Sequence, residues 1–160
     1  MRPTPDHPLA AKTLNVWRIG SLIETLFFML LPLAYWALMF VLPELPEWGL
    51  YNLIGAIVLY RVLDFVLIQK LQWQRWRYKV YENEVELMHG VFVVRRVIIP
   101  MVRVQHVDTR QGPILRYYGL ASVTISTAAT THEIPGLEIE NADRLRDQIA
   151  QLAREADPDE

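Results

Sequence analysis

The chain has 160 residues, of which 52% are hydrophobic and 21% charged, and its mean hydropathy of +0.13 is high for a water-soluble protein of this size. That composition excludes disorder and fibrous classes. Without cysteine there is no disulfide framework, thiol nucleophile or thiolate metal site, and a net charge of −2 gives no basic balance toward nucleic acid.

The apolar residues are concentrated in two runs. Residues 22–42 carry one charge, Glu24, and residues 48–68 carry two, Arg61 and Asp64. Each run of 21 residues spans ~31 Å as a helix, the thickness of a bilayer's hydrocarbon core. Neither has a polar stripe broad enough for a surface helix. The first run fits a cleavable signal poorly, since it starts some twenty residues in and ends in Pro-Glu-Leu-Pro-Glu. Pro43 and Pro46 break the chain between the runs, and Pro32 is expected to bend the first helix.

The flanks set the orientation expected. Arg2, Lys12 and Arg18 precede the first run, Lys70, Arg75, Arg77 and Lys79 follow the second, and Glu44 and Glu47 lie between. Basic residues stay cytoplasmic, so both termini are expected inside, in a multi-pass protein of the inner or cytoplasmic membrane. Trp17, Trp48 and Trp73 lie at headgroup level in this scheme. The domains expected are a cytoplasmic segment 1–20, two spans within 21–69, a cytoplasmic β-rich domain 70–156 and a tail 157–160.

From Tyr78 the period changes to that of strands. Runs at 78–81, 85–87 and 91–99 are punctuated by Glu82-Asn83 and His89-Gly90, pairs that suit tight hairpins with positive φ. Pro100 closes the third run, and the alternation slips phase between Val104 and Val107, as at a bulge. Gly112-Pro113 reads as a turn, 114–118 as one helical turn capped by Gly119, and 120–127 and 131–134 as strands, the last ended by Pro135-Gly136. Asn141 is a plausible N-cap for an amphipathic helix with Ala142, Leu145, Ile149, Leu152 and Ala156 on its apolar face.

Ile99-Pro100 followed by Arg103-Val104-Gln105, then Gly112-Pro113, Arg116 and Gly119-Leu120, resembles the bacterial pleckstrin-homology-like membrane family, often called YdbS-like. The resemblance covers residues from about 22 to 153. It implies an α+β membrane protein: a two-helix transmembrane hairpin, then a cytoplasmic PH-like bent β-sandwich or barrel with a C-terminal helix. It carries no catalytic residue. It implies a structural role for Pro100, Arg103, Gln105, Gly112, Pro113, Arg116 and Gly119, with a strand break, a bulge and a buried polar tether in the first block.

No hydrolase, metalloprotease or phosphate-loop motif is present, and His7, His89, His106 and His132 fall in four separate elements, so no enzyme activity, metal or cofactor is expected. Arg61 and Asp64, three apart on one helix face, are expected to pair. With Glu24 they are expected to make an intramembrane polar contact, more readily an assembly device than an ion path, because two helices enclose no pore. Lys70, Trp73, Arg75, Trp76, Arg77 and Lys79 interleave basic and aromatic residues beside the membrane and are expected to touch its surface. The first hairpin, with Glu82, Glu84 and Glu86, is acidic and would repel a phosphoinositide. Arg95, Arg96, Arg103, Arg110 and Arg116 read as a polar face or protein-binding rim. The function expected is therefore a non-enzymatic membrane protein that assembles with itself or another membrane protein, and the family resemblance implies envelope maintenance or stress as its setting. The competing expectation is an accessory subunit of a transport or efflux assembly using the intramembrane charges.

Overall fold

The computed structural model describes residues 4–156. Arg2 and the acidic end 157–160 lie outside the described residues. The chain divides into two units, residues 17–70 and the remainder.

The first unit is helical. Two continuous helical stretches, Thr13–Val41 and Glu47–Arg75, are long and apolar enough to cross a membrane, and in each only about a tenth or less of the most apolar window is buried. The first stretch is α1 (Thr13–Phe28) and α2 (Leu30–Val41), interrupted at Met29. The interruption traces to Pro32, whose missing N–H leaves the Phe28 carbonyl without its partner four residues on. The second stretch is α3 (Glu47–Leu63), a π turn (Asp64–Ile68) and α4 (Gln69–Arg75). The π turn, where the Gln69 N–H donates to the Asp64 carbonyl five residues back, has no signature in the apolar pattern.

The second unit holds two antiparallel sheets. The first has the order β1-β2-β3-β4, from β1 (His7–Pro8), β2 (Arg77–Val80), β3 (Glu84–His89) and β4 (Arg95–Pro100). The second has the order β5-β6-β7, from β5 (Val104–Arg110), β6 (Leu120–Thr127) and β7 (Thr131–Glu138). A 3₁₀ turn at Met101–Arg103 joins β4 to β5, α5 (Pro113–Tyr117) joins β5 to β6, and α6 (Ile139–Ala156) packs on the second sheet. Val85, Leu87, Ile99, Met101, Leu120, Val123, Ile125, Ile134 and Ile149 form the core.

The N-terminal segment is part of this unit. His7 pairs with Tyr78 and Pro8 with Arg77, Leu9 is buried, and Thr13 Oγ1 donates to the Gly136 carbonyl at 2.5 Å. Gly136 does not end its strand. It adopts φ +61° where the β6–β7 register slips, so β7 continues to Glu138 and the Gly136 carbonyl turns out of the ladder to accept from Ala10 N–H and Thr13. α6 begins at Ile139, two residues before the expected cap.

The hairpins differ from expectation too. Asn83 has negative φ, and β2 and β3 close through a Tyr81 N–H to Glu84 carbonyl bond. Only Gly90, at φ +125°, is left-handed in the next turn, and residues 91–94 form a loop rather than the start of a strand. Gly119 takes φ +67° after α5, the left-handed ending expected there.

Candidate functional site

The helical unit contains a polar cluster built from both stretches. Arg61 is only 8% exposed, and its Nη1 reaches Glu24 Oε2 at 3.3 Å and Ser21 Oγ at 3.5 Å. Its guanidinium lies over the rings of Phe28 (4.5 Å) and Tyr60 (5.5 Å). Ser21 Oγ donates in turn to Asp64 Oδ2 at 3.0 Å, and Gln69 Nε2 donates to the same oxygen at 2.8 Å. Glu24, Arg61 and Asp64 thus come together, with one correction. The ion pair of Arg61 is with Glu24 on the other helix, and Asp64 connects to Arg61 through Ser21. Residues five apart in an α-helix lie ~140° apart around the axis. The π turn brings Asp64 and Gln69 to one side, so Asp64 turns toward Ser21 and Gln69.

The cluster is incompletely satisfied. Among the described residues, Arg61 Nε and Nη2 and Gln69 Oε1 are buried without a hydrogen-bond partner. Ser21 and Gln69 are members that sequence reading missed. Neither is charged, and only the helix pairing and the π turn bring them in.

The juxtamembrane run is partly taken up by the β-rich unit. Trp76 is 5% exposed and stacks on His89 at 5.9 Å, which removes it from the membrane-surface set. Trp73 donates its indole N–H to the Ala10 carbonyl, Arg77 donates to the Trp76 carbonyl, and Lys79 pairs with Asp6. The ammonium of Lys79 holds the Asp6 carboxyl below its usual range, and Asp6 raises Lys79 in return. Lys70 and Arg75 are exposed, and Arg75 donates to the Val91 carbonyl.

Glu86 is another correction. It is fully buried and paired with Arg96 Nε at 2.5 Å, so Glu82 and Glu84 alone give the first hairpin its outer acidity. The Ile-Pro-x-x-Arg-Val-Gln block also departs from expectation. Pro100 opens the 3₁₀ turn that breaks the strand, and the bulge falls at Gln105, but Arg103 and Gln105 are exposed and form no buried tether. They line an open groove of about 970 Å³ with His106, Thr127–Thr130, His132 and Arg154. Gly112 and Pro113 start α5, and Arg116 is exposed on it. Of the other two arginines in the basic edge, Arg95 and Arg110, both are exposed. No group of three metal-ligating side chains exists among the described residues.

A bacterial PH domain family model matches residues 21–153. The chain belongs to the bacterial PH domain family. It is 46% identical to the UPF0699 transmembrane protein YdbS of Bacillus subtilis (strain 168), over 99% of both chains. It is also 24% identical to the transmembrane protein YdbT of the same organism, over 92% of this chain and 29% of YdbT. No solved structure matches. Membership of the family agrees with the two sheets and closing helix, and the first relative's description as a transmembrane protein agrees with the two apolar stretches. This is therefore a membrane protein carrying a PH-like domain.

Proposed function

We propose that the protein is a non-enzymatic, two-span assembly component of the cell membrane, joining a second copy of itself or another membrane protein. The observation that carries this reading is Arg61, nine-tenths buried with Nε and Nη2 unfilled. Unfilled donors in an apolar environment are costly, so they favour a carboxylate or carbonyl from a neighbouring helix. Gln69 Oε1 offers an acceptor to the same neighbour.

The orientation follows the same reading, with both termini cytoplasmic. Basic flanks and an acidic connection support it. So does the pairing of β1 with β2, since strands of one sheet lie on one side of a membrane and the chain between them crosses an even number of times. The partner is a protein rather than an inositol lipid, with Glu82 and Glu84 at the first hairpin as the supporting feature. The setting is the cell envelope, in the maintenance or stress role that the family resemblance implies.

The test is affinity capture from native membranes of full-length protein carrying Arg61→Leu with Glu24→Gln. Removing both partners of the ion pair leaves Asp64 its hydrogen bonds from Ser21 and Gln69, so insertion and level should match the parent while the captured partner, or a second tagged copy, is lost. Capture unchanged by the double substitution refutes the assembly reading. A captured polytopic transporter whose flux changes with these substitutions moves the protein to the transport-subunit class.

A further inference from the structure

We propose that the β3–β4 loop inserts its apolar tip into the headgroup–acyl boundary of an anionic bilayer. The loop, residues 90–94, reads Gly-Val-Phe-Val-Val between the paired residues His89 and Arg95. Phe92 is 89% exposed, Val93 73% and Val94 49%. Water-exposed turns are normally built from Gly, Pro, Asn, Asp and Ser, and a run of large apolar side chains at a tip lacks that logic.

The display is fixed by the backbone. Gly90 holds φ +125°, and a Cβ there would fall 2.0 Å from the Val93 carbonyl oxygen, so the turn folds back tightly on itself and pushes 92–94 outward. Arg75 clamps the base of the loop through the Val91 carbonyl. Arg75 is also the last residue of the second membrane-spanning stretch, only seven positions after the apolar run ends at Ile68. The loop base is therefore tied to a residue that chain length keeps near the lipid surface.

Charge selects the occupant. No acidic residue occurs from His89 to Arg103, whereas the exposed Arg95 follows the tip and Arg75 sits at its base. An apolar tip flanked by Arg75 and Arg95 suits an anionic lipid interface, where basic residues near the surface add electrostatic attraction to the apolar insertion. This contact is independent of the polar cluster between the helices.

The cysteine-free chain allows a direct test on the full-length protein. Val93→Cys, and Gln151→Cys on the exposed face of α6 as control, are labelled with an environment-sensitive fluorophore. Each is then reconstituted into phosphatidylcholine vesicles with or without phosphatidylglycerol. The label at position 93 should shift to the blue and be quenched by lipids spin-labelled near the headgroup, more strongly with phosphatidylglycerol, while that at 151 stays unquenched. Adding Phe92→Asp should abolish the quenching without lowering the melting temperature, because Phe92 supports no core. An unshifted, unquenched label at 93 would overturn the proposal. So would a shifted label that spin-labelled lipid cannot quench, which would place the tip against protein, or quenching equal in neutral and anionic vesicles.

Discussion

Gly136→Ala should unseat the N-terminal segment from the β-rich unit. The substitution meets two obstacles. At φ +61° a side chain is strained by ~1–2 kcal/mol. The new Cβ would also lie 2.1 Å from Thr13 Oγ1 and 2.3 Å from its Cγ2, an overpacking worth a further ~1–3 kcal/mol. For a domain of this size such a loss lowers the melting temperature by roughly 10–20 °C. Thr13→Ala alone removes one hydrogen bond, about 1 kcal/mol, because the Gly136 carbonyl keeps the Ala10 N–H. The double variant removes the clashing Oγ1 and Cγ2 while keeping the φ strain and the 2.7 Å approach to the Thr13 Cβ, so it should be more stable than the two losses summed. Tryptophan fluorescence of the full chain in lipid nanodiscs reads all three melts, and Trp73, bonded to the Ala10 carbonyl, reports the segment itself. Additivity within ~0.5 kcal/mol would mean that Thr13 and Gly136 do not touch, and would refute the seat described here.

Arg96→Met leaves the fully buried Glu86 carboxylate without its cation and should cost ~3–5 kcal/mol; adding Glu86→Leu should restore most of the lost melting temperature. Burial, then Arg95 and His132, hold His89 below its ordinary value of 6.5, so the folded state disfavours its protonation. The stability this contributes is present above about pH 6.5 and is lost as pH falls through the lower folded value. His89→Phe, which keeps a ring against Trp76, should melt with a shallower decline below that pH than the parent.

The two long apolar helices were legible because a 21-residue apolar run has few alternatives. The strands from Tyr78 onward were legible wherever one face is buried, as at Val123 and Ile125. Alternation says nothing of a buried charge, so Glu86 reads as a hairpin surface residue, whereas its carboxylate is buried against Arg96. The run 91–99 read as one strand because apolar β-branched residues serve a strand and an exposed tip alike; the Gly90 turn and the His89–Arg95 pairing decide between them. In the candidate site the three charges were visible as rarities in an apolar context. Their true partners depend on which residues the facing helix presents, and the π turn that orients Asp64 is a backbone event without a sequence period.

The pairing of β1 with β2 also governs the order in which the molecule is made. β1 leaves the ribosome ahead of both spans, and β2 follows them. The sheet therefore cannot close until the whole hydrophobic segment has been synthesised, and the Leu9 pocket stays empty until then. A module that folded early could sequester its own leader and hold the first span away from the insertion machinery. Here the N-terminal segment has nothing to dock on during that interval, so both apolar stretches are free to insert before the clasp can shut. Once shut, it joins the start of the first span to the end of the second, and the remaining helix pairing proceeds as a closed loop rather than as two free ends.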